Sequence, residues 1–447
     1  MNVTITPTLL KGTITPPPSK SQAHRLLIAA ALSGGVSTVS NLADSQDILA
    51  TRRCLAALGA GLEELGPGVV RVHGLGNGIV MAPPYALLDC GESGSTLRFL
   101  IPVALLAQGK ASFTGHGRLM ERPLKPYEDL FREKGIAWAL KDGVLTVDGG
   151  RGYDRLALDP GEYRLPGDVS SQFFSGLLFV LPLLEGDSLL VSTTRLESVG
   201  YVNMTRQAME DFGVETKWTK EGIFIPGNQT YRPADRAVEA DWSQAAFWYA
   251  AQGTGSDVTV TGMGERSIQG DRVILDWGRM LRDEPIPGGT KGLIWGRAGS
   301  GPVPPPPSDL PRRRAVSLDV SHAPDLVPHL AAWGALTPGC DLYIKNAGRL
   351  RLKESDRLAA VTEVLSALGA EVIEEADRLI IRGRETLPGG ATVDSHNDHR
   401  IAMMAAIAAT RCEQPVTVAG AECVAKSYPN FWEDYEKLGG RIVRQED

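Results

Sequence analysis

Residues 340–382 read CDLYIKNAGRLRLKESDRLAAVTEVLSALGAEVIEEADRLIIR. Asp341 to Asn346 alternates polar and apolar side chains, which predicts a strand with one face buried. A basic loop follows, Arg349 to Lys353. Glu354-Ser355-Asp356-Arg357 opens an amphipathic helix with Leu358, Val361, Val364, Leu365 and Leu368 on one face. Gly369 stands where a helix ends in a left-handed residue, and Glu371 to Ile373 with Leu379 to Ile381 predict a hairpin. Beyond it, Ile401 to Ala409 is apolar on every side, the pattern of a helix buried all round, behind a polar start, Asn397-Asp398-His399-Arg400.

The same plan recurs along the chain. Helix-ending glycines before hairpins stand at Gly59, Gly135, Gly213, Gly369 and Gly439, at intervals of 76, 78, 156 and 70 residues. Because 156 is twice 78, a sixth, degraded copy is expected between Gly213 and Gly369, with Asp271 to Asp283 as its helix and Leu293-Ile294-Trp295 as one hairpin strand. Apolar helices are expected to begin near Ser21, Ser93, Ser171, Ser243, Asp325 and Asp398. Each start offers free N–H groups and a partial positive charge, hence a place for an anion. A unit of about seventy-five residues is too long for a common solenoid repeat. The prediction is an α/β (α+β) chain of two similar lobes, each built on three buried helices, with the boundary near Tyr231 to Asp235.

The 447 residues suffice for two or three domains, and 43% hydrophobic with 22% charged content is that of a globular chain. A net charge of −7 argues against nucleic acid or an anionic membrane as partner, so an anion site must be built from local arginines and lysines. Met1 to Leu10 lacks a basic region and a long apolar core, so no secretory leader is expected, and no apolar run is long enough to span a bilayer. Five cysteines without metal spacing suit a reducing cytoplasm. Pro285 to Pro311 is expected to be an exposed excursion, and Arg312-Arg313-Arg314 a solvated run.

Basic and hydroxyl residues gather at the predicted helix starts. Lys20, Ser21 and Arg25 follow three stiffening prolines, with Ser21 expected as the cap. Gly94 lies in a glycine-serine turn that lets a ligand approach the backbone. Arg118 and Arg122 flank the loop of the second copy, Ser170, Ser171 and Gln172 open the third buried helix, and Ser198 and Tyr201 follow in its loop. In the second half Asp325, Lys353, Glu354, Arg357, Arg400 and Lys426 occupy matching ends of three copies. A carboxylate among such cations is a candidate acid/base group. Without an anion, these recurring cations are expected to repel one another.

The ordered set Pro18-Ser19-Lys20-Ser21 with Arg25, Gly94 with Arg98, Arg118 to Pro123, Ser170-Ser171-Gln172, Pro324-Asp325, Lys353 to Arg357, Asn397 to Arg400, and Lys426 resembles the 5-enolpyruvylshikimate-3-phosphate synthase family of enolpyruvyl transferases over nearly the whole chain. The resemblance implies six βαβαββ-like units around buried parallel helices, with the helix starts facing a cleft between lobes. It implies that residues 14–236 form one lobe and residues 1–13 with 237–447 the other. It implies transfer of the enolpyruvyl group of phosphoenolpyruvate to the 5-hydroxyl of shikimate 3-phosphate through a tetrahedral intermediate. Shikimate 3-phosphate would be bound by Lys20, Ser21, Arg25, Ser170, Ser171, Gln172, Ser198, Tyr201, Asp325 and Lys353. Phosphoenolpyruvate would be held by Lys20, Gly94, Arg122, Gln172, Arg357, Arg400 and Lys426, with Asp325, Glu354 and Lys20 catalytic. It implies a cytoplasmic monomer without metal or cofactor, acting on small molecules and not on nucleic acid or membranes. Arg349 departs from the family's usual asparagine, and Glu92-Ser93-Gly94-Ser95-Thr96 from its usual Asn-Ala-Gly-Thr-Ala. The sister family acting on UDP-N-acetylglucosamine typically places a cysteine in the loop matching Gly115 to Pro123, where this chain has none.

Overall fold

The computed structural model describes residues 1–76, 87–150, 157–286 and 313–445. Its residues fall into two compact units, Pro18–Glu239 and Met1–Pro17 with Ala240–Asp447, each with its own apolar core. The breaks lie a few residues beyond 13/14 and 236/237. They are displaced because Lys11–Ile14 is a strand paired in parallel with Asp257–Val260 of the second unit, while Arg236–Ala237 pairs with Val36–Ser40 of the first.

Among the described residues the first unit carries six α-helices: α1 (Lys20–Leu32), α2 (Gln46–Ala57), α3 (Gly94–Gln108), α4 (Lys125–Glu133), α5 (Gln172–Val180) and α6 (Val199–Asp211). The second carries α7 (Trp242–Gly253), α8 (Ile274–Arg282), α9 (Val327–Ala335), α10 (Arg357–Ala367), α11 (His399–Ala409) and α12 (Phe431–Lys437). Buried and amphipathic helices alternate. Every residue of α11 is buried, as its uninterrupted apolar run dictates, whereas α10 hides Leu358, Val361, Val364 and Leu365 and exposes its other face.

Each copy with its hairpin described contributes one four-stranded sheet. In the stretch that decides the fold, Cys340–Lys345 pairs in parallel with Arg314–Asp319 and antiparallel with Leu379–Arg382, which pairs with Glu371–Glu374. Cys340, Leu342 and Ile344 point into the core, as period-two alternation requires. Gly369 closes α10 at φ +94°, a conformation open to glycine. In the last copy Asn2–Thr6 lies between Val416–Ala419 and Arg441–Gln445, antiparallel to both. The degraded copy supplies α8 and Asp257–Val260, and its expected strand at 293–295 lies outside the described residues, as does most of the 285–311 segment.

Four local expectations are corrected. Ser19, not Ser21, caps α1, because the proline-stiffened approach leaves Ser19 extended with its Oγ 3.4 Å from the Gln22 N–H. Asp241 caps α7 in place of Ser243, and α10 begins at Arg357 with Asp356 as its cap, so Lys353 and Glu354 stand ahead of the helix. Arg313 and Arg314 are ties rather than a solvated run. Arg313 pairs with Asp341 at 2.6 Å and donates to the Cys340 carbonyl, while Arg314 donates to the carbonyls of Met280 and Leu281 at the end of α8.

The degraded copy is packed around one indole. A Cβ on Gly253 would lie 1.9 Å from Trp333, and one on Gly278 2.3 Å from it, so α7 and α8 approach α9 only because both positions lack a side chain. No helix among the described residues is long and apolar enough to cross a membrane.

Candidate active site

Each unit gathers its functional side chains at helix starts and in the loops ahead of them. In the first unit, Lys20 opens α1 and its ammonium lies 2.7 Å from the Asp47 carboxylate on α2, with both side chains mostly buried. Arg25, one turn on, is almost wholly buried. It donates to Ser21 O (2.6 Å), Tyr201 O (2.9 Å), Thr205 Oγ1 (2.8 Å) and Ser175 Oγ (3.4 Å), and packs 5.0 Å over Phe99. Burial lowers its pKa to about 10, which leaves it charged at neutral pH. The structure thus sets Arg25 as a tie between Ser21 and Tyr201, its hydrogen bonds directed inward.

Gly94 is the first residue of α3, and a Cβ there would sit 3.0 Å from the Arg122 guanidinium, so the two meet across a gap that only glycine leaves. Gln172 opens α5. Its amide carbonyl accepts from Arg98 at 2.7 Å and its NH2 donates to Ser95 at 2.9 Å, while Arg98 also donates to Pro123 O at 3.1 Å. Arg98 therefore joins the Gly94 helix, the Arg122 loop and the Gln172 helix. Ser170 accepts the Gln172 N–H, and Ser171 is the residue before the helix without capping it through its side chain. Ser198 is held at φ +52°, an uncommon left-handed conformation for a residue with a side chain, one residue before α6, which carries Tyr201.

The second unit is more concentrated. Asp325 Oδ1 lies 3.1 Å from Lys353 and 2.9 Å from Arg357, and its Oδ2 lies 3.8 Å from Arg400. Arg357, 1% exposed, is shared among three carboxylates, since it also reaches Glu354 at 2.6 Å and Asp398 at 2.7 Å. Arg400 donates to the Asp325 carbonyl and Lys426 to the Asn397 carbonyl at 2.7 Å. Arg349 donates to Ser321 O. Burial alone would raise the Asp325 carboxyl, but Lys353, Arg400 and Arg357 together hold it well below the usual carboxylate range. Burial lowers the Lys353 ammonium, with Asp325 opposing. For Arg357, burial is outweighed by Asp398, Glu354 and Asp325, which secure its proton.

The expectation of mutually repelling cations is therefore corrected: Lys20, Lys353 and Arg357 each face an internal carboxylate, which cancels much of their repulsion. Asp325, Lys353, Glu354, Arg357 and Arg400 are brought together, as are Gly94 with Arg122 and Ser21 with Arg25 and Tyr201. Sequence reasoning gave no role to Asp47, Arg98 and Asp398. Both aspartates stand at helix starts, where a carboxylate is favoured without any partner, and nothing in their local sequence names the distant one.

This fold is shared with solved enolpyruvyl transferases. The chain covers 99% of itself and all of an EPSP synthase structure from Acinetobacter baumannii with a TM-score of 0.75 at 24% identity. The enolpyruvyl transferase NikO from Streptomyces tendae overlays 99% of the chain with a TM-score of 0.70 at 18% identity and 98% coverage of its own. The family model for EPSP synthase (3-phosphoshikimate 1-carboxyvinyltransferase) matches residues 5–435. Proteins named 3-phosphoshikimate 1-carboxyvinyltransferase from Clostridium kluyveri and Clostridium beijerinckii are 45% and 42% identical, each aligned over 98% of both chains. The chain belongs to the EPSP synthase family.

Proposed function

We propose that this chain transfers the enolpyruvyl group of phosphoenolpyruvate to the 5-hydroxyl of shikimate 3-phosphate with release of inorganic phosphate. The observation that carries the assignment of roles is the Asp325 carboxylate, set among Lys353, Arg357 and Arg400 with Glu354 on the same arginine. Two anionic substrates need cations, and addition followed by elimination needs proton transfer at two places. Lys20, Gly94, Arg122, Gln172, Arg357, Arg400 and Lys426 are assigned to phosphoenolpyruvate. Lys20, Ser21, Arg25, Ser170, Ser171, Gln172, Ser198, Tyr201, Asp325 and Lys353 are assigned to shikimate 3-phosphate, Arg25 through the backbone and hydroxyls it orders.

Asp325 accepts the 5-hydroxyl proton as that oxygen adds to C2 of phosphoenolpyruvate, and the methylene carbon gains a proton with Glu354 as the shuttle. The methyl of the resulting tetrahedral intermediate then returns a proton as the C2–O bond to phosphate breaks. Asp325 is ionised, the state an acceptor requires. Its proton affinity is low while the cations face it alone, and rises as substrate anions take a share of their field. Lys20 neutralises charge at the reacting phosphate. No electron or hydride changes hands. The five thiols are all free, which suits the reducing cytoplasm assigned to a monomeric enzyme. Phosphate release measured with both substrates together and with each alone tests the reading: release should require both, and release from phosphoenolpyruvate alone, or none, defeats it.

A further inference from the structure

Beneath the Gly94 helix start lies a chain of four side chains, each fully buried: His24 on α1, Thr51 on α2, Thr96 on α3 and Ser93, its N-cap. His24 Nδ1 is 2.7 Å from Thr51 Oγ1, Thr51 Oγ1 is 2.6 Å from Thr96 Oγ1, and Thr96 Oγ1 donates to Ser93 Oγ at 2.8 Å. Ser93 Oγ also accepts the Thr96 N–H at 3.2 Å, the cap of α3. A hydroxyl has one proton to give. Thr96 has two acceptors in reach, Ser93 Oγ at 2.8 Å and the Asp47 carbonyl at 3.5 Å; with its proton on the nearer Ser93, Thr51 donates to Thr96 and His24 donates from Nδ1 to Thr51. The donors therefore run in one direction and end on the cap of the helix that begins with Gly94.

The chain also adjoins the Lys20–Asp47 pair through α2, where Thr51 lies one turn from Asp47. Thr96 Oγ1 lies 3.5 Å from the Asp47 carbonyl, and the Asp47 carboxylate grips the Lys20 ammonium. One stretch of α2, Asp47 to Thr51, thus supports two positions assigned to the phosphoenolpyruvate anion, on α1 and on α3. Burial, reinforced by Lys20 and Arg25, keeps the His24 imidazole neutral, so the chain carries no charge of its own.

We infer that Thr96 is a positioning residue, which registers the Gly94 helix start against the Lys20–Asp47 pair so that both meet one anion. The inference rests on the functional reading above. It also accounts for Ser93 and Thr96, two of the departures in the Glu92-Ser93-Gly94-Ser95-Thr96 stretch: both are members of the hydroxyl chain.

The test compares Thr96→Val, Thr96→Ser and Thr51→Val in the full-length enzyme. Phosphate release is measured with phosphoenolpyruvate varied, and backbone amide exchange is followed over residues 90–100. Thr96→Val should raise KM for phosphoenolpyruvate about five- to tenfold, the equivalent of about one neutral hydrogen bond. It should leave KM for shikimate 3-phosphate and kcat within about threefold, and quicken exchange at 93–97. Thr96→Ser, which keeps the hydroxyl, should restore most of the affinity. If Thr96→Val fails to fold, Thr51→Val, one link away, carries the same expectation. A folded valine variant with unchanged KM for phosphoenolpyruvate, whatever its exchange, overturns the inference alone. A wild-type enzyme that releases no phosphate overturns the functional reading and the inference together.

Discussion

Arg357 and Asp398 are joined by two parallel hydrogen bonds, Nε to Oδ2 at 2.7 Å and Nη2 to Oδ1 at 3.2 Å, with both side chains buried. The same carboxylate caps α11 at Arg400 N and accepts from Ser355. Asp398 thus fixes two arginines at once, one through its guanidinium and one through its backbone.

Removing one partner of a buried pair leaves the other charge stranded. Asp398→Ala should therefore cost about 3–5 kcal/mol, read by urea unfolding. The double variant Asp398→Ala/Arg357→Met should cost less than Asp398→Ala alone, although both lose activity. If the double variant is the less stable, Arg357 is held by Asp325 and Glu354 without help from Asp398.

Lys20 lies at a helix start with its side chain mostly buried against Asp47, not in the apolar core. Lys20→Met should remove most turnover in a protein that still folds, and Lys20→Met/Asp47→Asn, which leaves no stranded carboxylate, should melt within a few degrees of wild type. Near wild-type turnover would sink its catalytic assignment.

Asp325→Asn and Glu354→Gln should each lose on the order of 10²–10⁴-fold in turnover, as positioned acid–base groups do. They should differ when tetrahedral intermediate is supplied in deuterated water. Asp325→Asn should convert it with deuterium entering the methylene far better than Glu354→Gln. Equal defects would mean that the two roles are shared or exchanged.

Asp271 gives a pH signature in the opposite sense to Asp325. Burial, with Asp325 nearby, raises its carboxyl to about 6. Folding therefore favours its protonated form. Above pH 6 the native state carries the cost of a buried charge, and this cost fades as pH falls from about 6 towards the unfolded value near 4. A shift of about two units is worth on the order of 3 kcal/mol. Asp271→Asn should thus gain stability relative to wild type at pH 8 and lose that advantage by pH 4.5, in parallel denaturant melts. Asp325, held low, adds stability above about pH 4 that is lost only as pH drops below that range. A constant difference between Asp271→Asn and wild type across pH would show that the native carboxyl is not raised.

Gly253→Ala pushes a methyl into the Trp333 indole. Overpacking of this kind costs about 1–3 kcal/mol. Thermal melting should register the loss, while Gly339→Ala, with nothing within 4 Å of its Cβ, should show only the cost of its φ of +73°.

The repeat was legible because its signals are local. Glycines such as Gly369 stop helices, alternation at Cys340–Lys345 sets a strand face, and the run in α11 has no polar side to expose. The site was legible as a set of helix starts, but its wiring was not. Lys20 meets a carboxylate 27 positions away, and Arg357 meets one 41 away, through contacts that only the packing of α1 on α2 and α10 on α11 creates. Arg25 reads as a cation for a ligand, yet its hydrogen bonds go to four groups of its own unit. Cap positions slipped by two residues at Ser19 and Asp241, where another Ser or Asp stood close enough to compete.

The strand Asn2–Thr6 is synthesised more than four hundred residues before either of its partners, Val416–Ala419 and Arg441–Gln445. At about 5–20 residues per second, more than four hundred intervening residues take roughly 20–80 seconds to make. Through that interval Pro18–Glu239 can complete its own core, since the three sheets among its described residues are built of strands from within it. The leading strand, by contrast, must wait with both edges open, exposed to the pairing errors that open edges invite. Chain order thus makes the first unit a finished body during synthesis and the second one a post-translational event. A circular permutant that begins near Ala240 and carries Asn2–Thr6 behind Gln445 would let the second unit close as it is made.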